Sequence, residues 1–189
     1  MARGRKPTRE ELATAAGKTV PDIIGPDTRV LFVGINPGLY SGAVGHHFAR
    51  PGNRFWPALS GAGFVDRPVS PFEEDELPQW GVGITNFVPR ATARADELSD
   101  EEIRAGVDAL AKKVRANRVR VVAFLGVTAY RAAFGDTTVR IGLQERTFAG
   151  ARVWVLPNPS GLNAHYQLSD FVRMFRELRE DAERISARE

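Results

Sequence analysis

The chain has 189 residues, 43% of them hydrophobic, a length and composition that suit one well-buried domain spanning 1–189. It contains no cysteine, which excludes disulfides, thiolate metal sites and a cysteine nucleophile. Its net charge of +3 is compatible with a polyanionic partner without requiring one, and no apolar run approaches the ~20 residues that span a bilayer, so we expect a cytoplasmic protein.

Strands and helices alternate along the chain. In chain order the apolar pattern predicts a short helix ending near 16, a strand over 29–34, a helix over 53–63, a strand over 81–87, a helix over 99–117, a strand over 119–125, a helix ending at 134, a hairpin of 146–148 and 152–156, and a helix over 167–186. Two capping boxes mark helix starts: Thr8 with Glu11, and Ser99 with Glu102. With the second hairpin arm as the fourth strand, we expect an α/β fold with a mostly parallel four-stranded sheet covered on both faces. We expect residues 1–6 and the last few to be loose.

Two short loops follow buried strands at opposite ends of the chain. Gly34-Ile35-Asn36-Pro37-Gly38 follows the first predicted strand, and Asn158-Pro159-Ser160-Gly161-Leu162 follows the last. Ligands of open α/β folds bind where loops leave the carboxyl ends of strands, so these two loops can converge on one pocket. Neither loop has the spacing of a P-loop or of a dinucleotide fingerprint, which argues against NTP and NAD as ligands. Both lie in stretches without acidic residues, 28–65 and 151–168, as a phosphate-facing surface requires, although buried strands and tight loops also lack acids.

The first loop offers one uncharged amide, that of Asn36, next to a proline that stiffens the turn. An Asn side chain donates and accepts hydrogen bonds, so it can hold a water molecule, but it cannot remove a proton as a carboxylate does. The alternative is an Asn that only braces the turn. Further along, Phe48 is the best candidate to stack on a planar ring, or it belongs to the core. His46 and His47 are adjacent, which suits neither a helical metal pair nor a catalytic triad, so we expect them at the surface or the pocket rim.

Two charged features allow simple structural interpretations. Arg54, at the start of a predicted helix, either pairs locally or reaches a phosphate. The acidic run over 73–76 is expected on a solvated face, away from any polyanion.

Three segments carry a resemblance: Gly34-Ile-Asn-Pro-Gly38, Gly45-His-His-Phe-Ala-Arg-Pro-Gly-Asn-Arg-Phe-Trp56 and Leu156-Pro-Asn-Pro-Ser-Gly-Leu162. In this order they resemble the mismatch-specific uracil-DNA and thymine-DNA glycosylase family of the uracil-DNA glycosylase superfamily. The resemblance implies a three-layer α/β/α sandwich with its catalytic core at about 29–180. It also implies a monofunctional glycosylase of base excision repair, which flips uracil, thymine or other damaged pyrimidines out of mismatches with guanine and hydrolyses the N-glycosidic bond.

The resemblance assigns roles to individual residues. Asn36 takes the water-holding catalytic role, and Leu162 fills the hole left by the flipped nucleotide. The base-binding pocket is assigned to Gly34, Ile35, Phe48 and Asn158, and the DNA-binding and wedge residues are Ser41, Ser160, Gly161, Leu162 and Asn163. The implied partner is double-stranded DNA with a mismatched or damaged base, bound by a monomer without cofactor or metal.

Three questions stay open at this point. A non-catalytic module that binds mismatched or damaged bases is one alternative, because Asn36 is chemically weak. A hydrolase of small nucleosides is another, and it would not need the Leu162 wedge. Asp96 either supplies the pocket with the carboxylate that Asn36 lacks, or pairs with Arg90 or Arg94 in a loop.

Overall fold

A five-stranded sheet forms the centre of the computed structural model, which describes residues 4–187. The strands are β1 (Val30–Gly34), β2 (Val82–Asn86), β3 (Val121–Leu125), β4 (Gly142–Phe148) and β5 (Ala151–Leu156), in the order β2-β1-β3-β5-β4. All neighbouring pairs are parallel except β4 and β5, which form an antiparallel pair. The mostly parallel α/β sheet is confirmed.

The prediction of four strands is wrong, because the first hairpin arm extends into a full edge strand. β4 begins at Gly142, well before the three residues predicted for that arm. Most of its side chains are exposed or half-buried, and its register with β5 shifts between Leu143 and Thr147. A strand that is solvated on its outer side lacks the continuous apolar run by which the other four strands are recognised.

The helices confirm the capping signals and add an element that the sequence does not mark. They are α1 (Arg9–Ala13), α2 (Leu39–Val44), α3 (Phe55–Gly61), α4 (Asp100–Ala116), α5 (Val127–Phe134) and α6 (Leu168–Ser186). Both predicted capping boxes, at α1 and α4, are formed. The unpredicted helix is α2, whose sequence is short and contains a glycine. Pro71–Trp80 forms a 3-10 helix, and Ala95–Glu97 a single 3-10 turn.

Two apolar layers cover the faces of the sheet. On one face, Phe32 of β1 packs against α3 and α6, and its ring stacks on Phe175 at 5.1 Å between centroids. On the other face, Phe124 of β3 packs with α4 and α5. This arrangement is the expected helix, sheet, helix sandwich. None of the helices within residues 4–187 has the length and the apolar character needed to span a bilayer.

The parallel strands determine where a site forms. β1, β2, β3 and β5 run in the same direction, so their carboxyl ends, at Gly34, Asn86, Leu125 and Leu156, lie along one edge of the sheet. Both loops singled out in the sequence leave from this edge, and so does the segment that follows β2. The residues assigned to one pocket are therefore brought together by the topology of the sheet.

A close approach of backbone to backbone explains Gly106 in the middle of α4. A Cβ atom at this position would lie 2.1 Å from the carbonyl oxygen of Phe87, which is backbone and has little room to move. We predict that Gly106→Ala lowers the free energy of unfolding by about 1–3 kcal/mol, measured by urea denaturation. Helix propensity alone predicts the opposite sign, a gain of about 1 kcal/mol, so a stabilised variant would contradict the packing interpretation.

Candidate active site

The two loops line one cavity of about 700 Å³ at the carboxyl edge of the sheet. Of the residues assigned to the base-binding pocket, all line this cavity: Gly34, Ile35, Phe48 and Asn158. Of the residues assigned to DNA binding and the wedge, the cavity is lined by Ser41, Ser160 and Leu162, whereas Gly161 and Asn163 lie in the same loop outside the lining. Asn36 lines the cavity as well.

The hydrogen bonds of Asn36 determine which end of its amide faces the cavity. Its Nδ2 donates to the carbonyl oxygen of Arg90 at 2.9 Å and to Oγ1 of Thr92 at 2.8 Å. The first partner is an acceptor only, and the Thr92 hydroxyl gives its own proton to the carbonyl of Arg94 at 2.7 Å, so both require an N–H from Asn36. Oδ1 accepts no hydrogen bond from the described residues and is open to the cavity. An immobilised, unused acceptor is what a bound water molecule needs.

The segment after β2 also braces the backbone of the first loop. The N–H of Val88 donates to the carbonyl of Ile35 at 3.0 Å, and the N–H of Thr92 donates to that of Pro37 at 3.2 Å. The loop that carries Asn36 is thereby tied to the segment after β2 on both sides of the amide. Its rigidity comes from pairing across the sheet edge as well as from the proline.

Phe48 is held in a conformation that bulky residues rarely adopt, with φ of 51°. The two flanking residues are pinned by buried side chains: the N–H of His47 donates to Glu74 Oε2 at 2.8 Å, and that of Ala49 donates to Ser41 Oγ at 3.1 Å. The Phe48 ring packs on a core ring, that of Phe55, at 4.4 Å between centroids, and it also lines the cavity. It therefore belongs to the edge of the core, and because it also lines the cavity, stacking of a planar ligand on Phe48 stays a prediction.

The contacts of Ser41 and Glu74 differ from those expected from the sequence. Ser41, assigned to DNA binding, is buried in α2 and uses its Oγ to hold Ala49. The expectation of a solvated acidic face is wrong for Glu74, which is only 3% exposed. The 3-10 helix turns it inward, where it also accepts a hydrogen bond from Nδ1 of His46 at 2.9 Å. Burial raises the pKa of the Glu74 carboxyl, and its hydrogen bonds to His47 and His46 oppose that rise.

The prediction that His47 lies at the surface or rim is half wrong, because this residue is 2% exposed although it contributes to the cavity wall. Its Nε2 lies 2.8 Å from the carbonyl oxygen of Pro21, an acceptor, so Nε2 carries a proton. Burial lowers the pKa of His47, which favours the neutral ring with an accepting Nδ1. The amide Nδ2 of Asn86, 3.4 Å away, donates to that nitrogen.

Asn86 is a site residue that sequence reasoning missed. It ends β2, and its Oδ1 occupies the space beside Gly34, where a Cβ atom would lie only 2.5 Å from it. Only glycine at that position leaves room for this amide in the cavity wall. The signal was a polar side chain at the carboxyl end of a buried strand, but nothing local shows that β2 lies next to β1.

The second loop is braced from within. Asn158 Oδ1 accepts from the N–H of Ser160 at 3.0 Å, and Ser160 Oγ accepts from the N–H of Leu162 at 3.2 Å. Asn163 Nδ2 donates a hydrogen bond to the carbonyl oxygen of Asn158 at 3.0 Å, which joins the two ends of the loop. The side chain of Leu162, at 75% exposure, extends from this braced loop into solvent. Single exposed apolar side chains are common on protein surfaces, but this one borders the cavity on a braced loop, which makes it a candidate for contact with a partner.

Asp96 lies outside the lining of the cavity. Its carboxylate pairs with the guanidinium of Arg94, with 3.0 Å between Oδ1 and Nε, and both side chains are exposed. The hydrogen bond from Arg94 lowers the pKa of Asp96. Arg90, the other candidate partner, pairs instead with Glu102, at 2.7 Å between Nε and Oε1. Of the two interpretations of Asp96, the structure shows the ion pair.

Comparisons with known proteins concern the family and the fold of the chain. The family model described as the uracil DNA glycosylase superfamily matches residues 21–183. The chain is also similar to a solution NMR structure from Methanosarcina acetivorans, named as that of a candidate uracil DNA glycosylase. The two are 22% identical, with a TM-score of 0.56 over 86% of this chain and 98% of the other, which shows a shared fold.

The buried imidazole gives a prediction about pH. Because the pKa of His47 in the folded protein lies below its ordinary value of 6.5, the unfolded chain binds a proton first as the pH falls. The contribution of His47 to the free energy of unfolding should therefore decrease as the pH falls from 7.5 to 5.5. His47→Gln can keep the donor to Pro21 but cannot be protonated, so the free energy of unfolding should fall less steeply over that range, as measured by urea denaturation.

The matched control for this prediction is His165→Gln, which removes an exposed histidine and should keep the wild-type slope. The groups facing His47, which are Asp22, His46 and Glu74, are unchanged in both variants. A His47→Gln slope equal to that of wild type would show that His47 does not carry the pH dependence.

Proposed function

The chain belongs to the uracil DNA glycosylase superfamily, which implies a hydrolase of the N-glycosidic bond in DNA, and we propose that it is a monofunctional enzyme acting on mismatched uracil. Its substrates are uracil, and thymine or other damaged pyrimidines, opposite guanine in duplex DNA, and it works as a monomer in base excision repair. The observation that carries the proposal is one cavity bordered by a fixed amide oxygen of Asn36 and by the exposed side chain of Leu162.

A base inside a duplex is inaccessible, so the nucleotide has to rotate out of the helix. Unstacking and unpairing cost a few kcal/mol, and less for a mismatched pair, which by itself contributes to selectivity. Leu162 is the side chain that replaces the lost stacking, because it is apolar, exposed and located at the cavity mouth.

Once in the cavity, the base stacks on Phe48 and meets the amide of Asn86. Uracil and thymine present an N–H between two carbonyl groups. The Oδ1 of Asn86 faces the cavity beside Gly34 and can accept from that N–H, while its Nδ2 keeps a second proton for a carbonyl. Cytosine has no proton on that nitrogen, so the same amide disfavours a normal base.

Bond cleavage produces a cation-like sugar and a pyrimidine anion, so stabilisation of the anion by fixed donors is the main catalytic term. Asn36 Oδ1 holds the attacking water. No carboxylate from the described residues lines the cavity, so no carboxylate there can act as general base on the water. A general base typically accelerates such a reaction by about 10²–10⁴-fold, and this enzyme lacks that acceleration. We therefore infer a slow enzyme in which bond breaking runs ahead of water attack. The lining also contains no lysine from the described residues, so the reaction ends at the abasic site without a Schiff base.

The lack of a carboxylate also favours the second candidate function, a module that binds mismatched or damaged bases without cleaving them. Binding would need Phe48, Asn86 and Leu162 but no water-holding amide. The two candidates differ in one product, the abasic site.

Excision is tested with a duplex that contains one labelled G·U pair, treated with hot alkali after incubation with the protein. Wild type should produce strand scission, whereas Asn36→Ala should lose about 10²-fold or more in single-turnover rate because the water loses its acceptor. The variant should still bind DNA that contains an abasic site. Scission by wild type with unchanged turnover of Asn36→Ala would remove Asn36 from the mechanism, and binding without scission would favour the non-catalytic module.

The role of Asp96 is tested in the same assay with Asp96→Ala. If the ion pair with Arg94 is its role, the single-turnover rate should stay within about twofold of wild type, because an exposed ion pair contributes little. A loss comparable to that of Asn36→Ala would instead return Asp96 to the chemistry, through a rearrangement of 94–97 on DNA binding.

A further inference from the structure

Arg54 attaches the loop that carries Leu162 to the body of the protein. We call residues 158–163 the wedge loop. Nη1 of Arg54 donates to the carbonyl oxygens of Ser160 at 3.0 Å and of Asn163 at 2.9 Å. The backbone N–H of Arg54 donates to the carbonyl of Pro159 at 2.9 Å. One residue thus makes three hydrogen bonds to the wedge loop.

The position of these bonds matters for Leu162. The two carbonyls that share Nη1 lie on either side of Gly161 and Leu162, so the guanidinium joins the two ends of the wedge. On the other side, the backbone of Gly161 lies so close to Gly52 that a Cβ atom would be 2.7 Å from the Gly52 carbonyl oxygen. Leu162 itself is exposed and has little packing of its own, so its direction depends on how the loop backbone is held.

The support is rigid on the protein side. Arg54 directly precedes α3, whose Phe55 and Trp56 are buried in the core. Its guanidinium also lies 6.0 Å from the centroid of the Phe171 ring on α6. The residue that holds the wedge loop is therefore itself fixed by two core helices, α3 and α6.

Part of the guanidinium is still free to bind a ligand. Both protons of Nη1 are used by the carbonyls, but Nε and Nη2 donate to no described residue, and neither is buried without a partner. Within residues 4–187 no carboxylate lies within ion-pair distance of Arg54, and its charge faces carbonyl dipoles and the Phe171 ring instead. A planar guanidinium with free N–H groups on one side is suited to a phosphate.

We propose that Arg54 is the positioning residue of the wedge, which fixes the wedge loop through its Nη1 and binds a DNA phosphate through its remaining N–H groups. The proposal rests on the proposed function, since a wedge has a role only if a base is flipped. A loop ordered before binding avoids the entropy cost of ordering during base flipping, and the shared guanidinium places a phosphate at a fixed distance from Leu162.

Two variants separate the hydrogen bonds of Arg54 to the wedge loop from its positive charge. Arg54→Gln removes the charge, and Arg54→Lys keeps it but replaces the three guanidinium nitrogens by one ammonium nitrogen, which cannot occupy both the position of Nη1 between the carbonyls and that of Nε and Nη2 at a phosphate. Base flipping is measured without chemistry, in the Asn36→Ala background, by the fluorescence of 2-aminopurine next to the uracil of a G·U duplex. Leu162→Ala is the benchmark for a lost wedge. Arg179→Gln is the matched control, because Arg179 also donates from a guanidinium to a backbone carbonyl, that of Ala62 at 2.9 Å, far from the wedge loop.

Both Arg54 variants should reduce the 2-aminopurine signal at saturating protein, as Leu162→Ala does. With Asn36 intact, they should slow single-turnover excision about tenfold or more. Only Arg54→Gln should also lower the salt dependence of duplex binding, by about one unit in the slope of log K against log salt. Arg179→Gln should match wild type in the fluorescence signal and the slope, whatever it does to the melting temperature.

The outcomes distinguish the two proposals. A wild-type protein that flips and excises uracil, with an Arg54→Lys variant of unchanged fluorescence signal, would overturn the role of Arg54 and leave the proposed function standing. A wild-type protein that gives no 2-aminopurine signal and does not excise uracil would overturn both, whereas a signal without excision would overturn only the proposed enzyme. If Arg54→Gln fails to fold, Gly161→Ala displaces the same loop from Gly52 with Arg54 intact, and it should reproduce the lost signal; an unchanged signal would contradict a positioned wedge.

Discussion

The site depends on the two hydrogen bonds that hold the amide of Asn36. Because Nδ2 is committed to the carbonyl of Arg90 and to the Thr92 hydroxyl, the amide is fixed and its Oδ1, without a partner among the described residues, is left for a ligand of the cavity that Asn36 lines. The acceptors come from the segment after β2, whereas Asn36 follows β1, so the amide is oriented only when these two strands lie side by side. In this way the parallel sheet turns an ordinary turn residue into an oriented acceptor.

A second set of buried polar groups determines the part of the cavity wall beside Gly34. Glu74 and Ser41 hold the backbone on either side of Phe48, and His47 orients the amide of Asn86. Buried polar groups are costly when unpaired, so this network is stable only as a whole. Its consequence is an aromatic surface and an amide held in fixed positions relative to each other, a suitable arrangement for a planar base with donors and acceptors along one edge.

The sequence predicts those features that depend on local patterns or on the general properties of parallel sheets. Capping boxes predicted the starts of α1 and α4. The rule that ligands of open α/β folds bind at the carboxyl ends of the strands predicted that Asn36 and the loop of Leu162 line one cavity. The features that it missed depend on contacts between distant segments. β4 lacks an apolar run because it is a solvated edge strand. The acidic run around Glu74 is typical of a surface segment, and only the 3-10 helix brings the Glu74 side chain to the backbone of His47. Asn86 is a polar residue at the end of a buried strand, but its place in the cavity wall depends on β2 lying next to β1, which no local pattern shows. The sequence also could not decide whether Asp96 faces the pocket or pairs with an arginine, because this depends on how the loop around Asp96 folds.

The most direct measurement is a crystal structure of the Asn36→Ala protein bound to a duplex with one G·U pair. The account predicts an intact uracil outside the helix, stacked on Phe48 with its N–H directed at Asn86, and Leu162 inserted in the vacated position. A uracil that remains stacked in the duplex, or DNA bound on another face with the wedge loop in solvent, would contradict it.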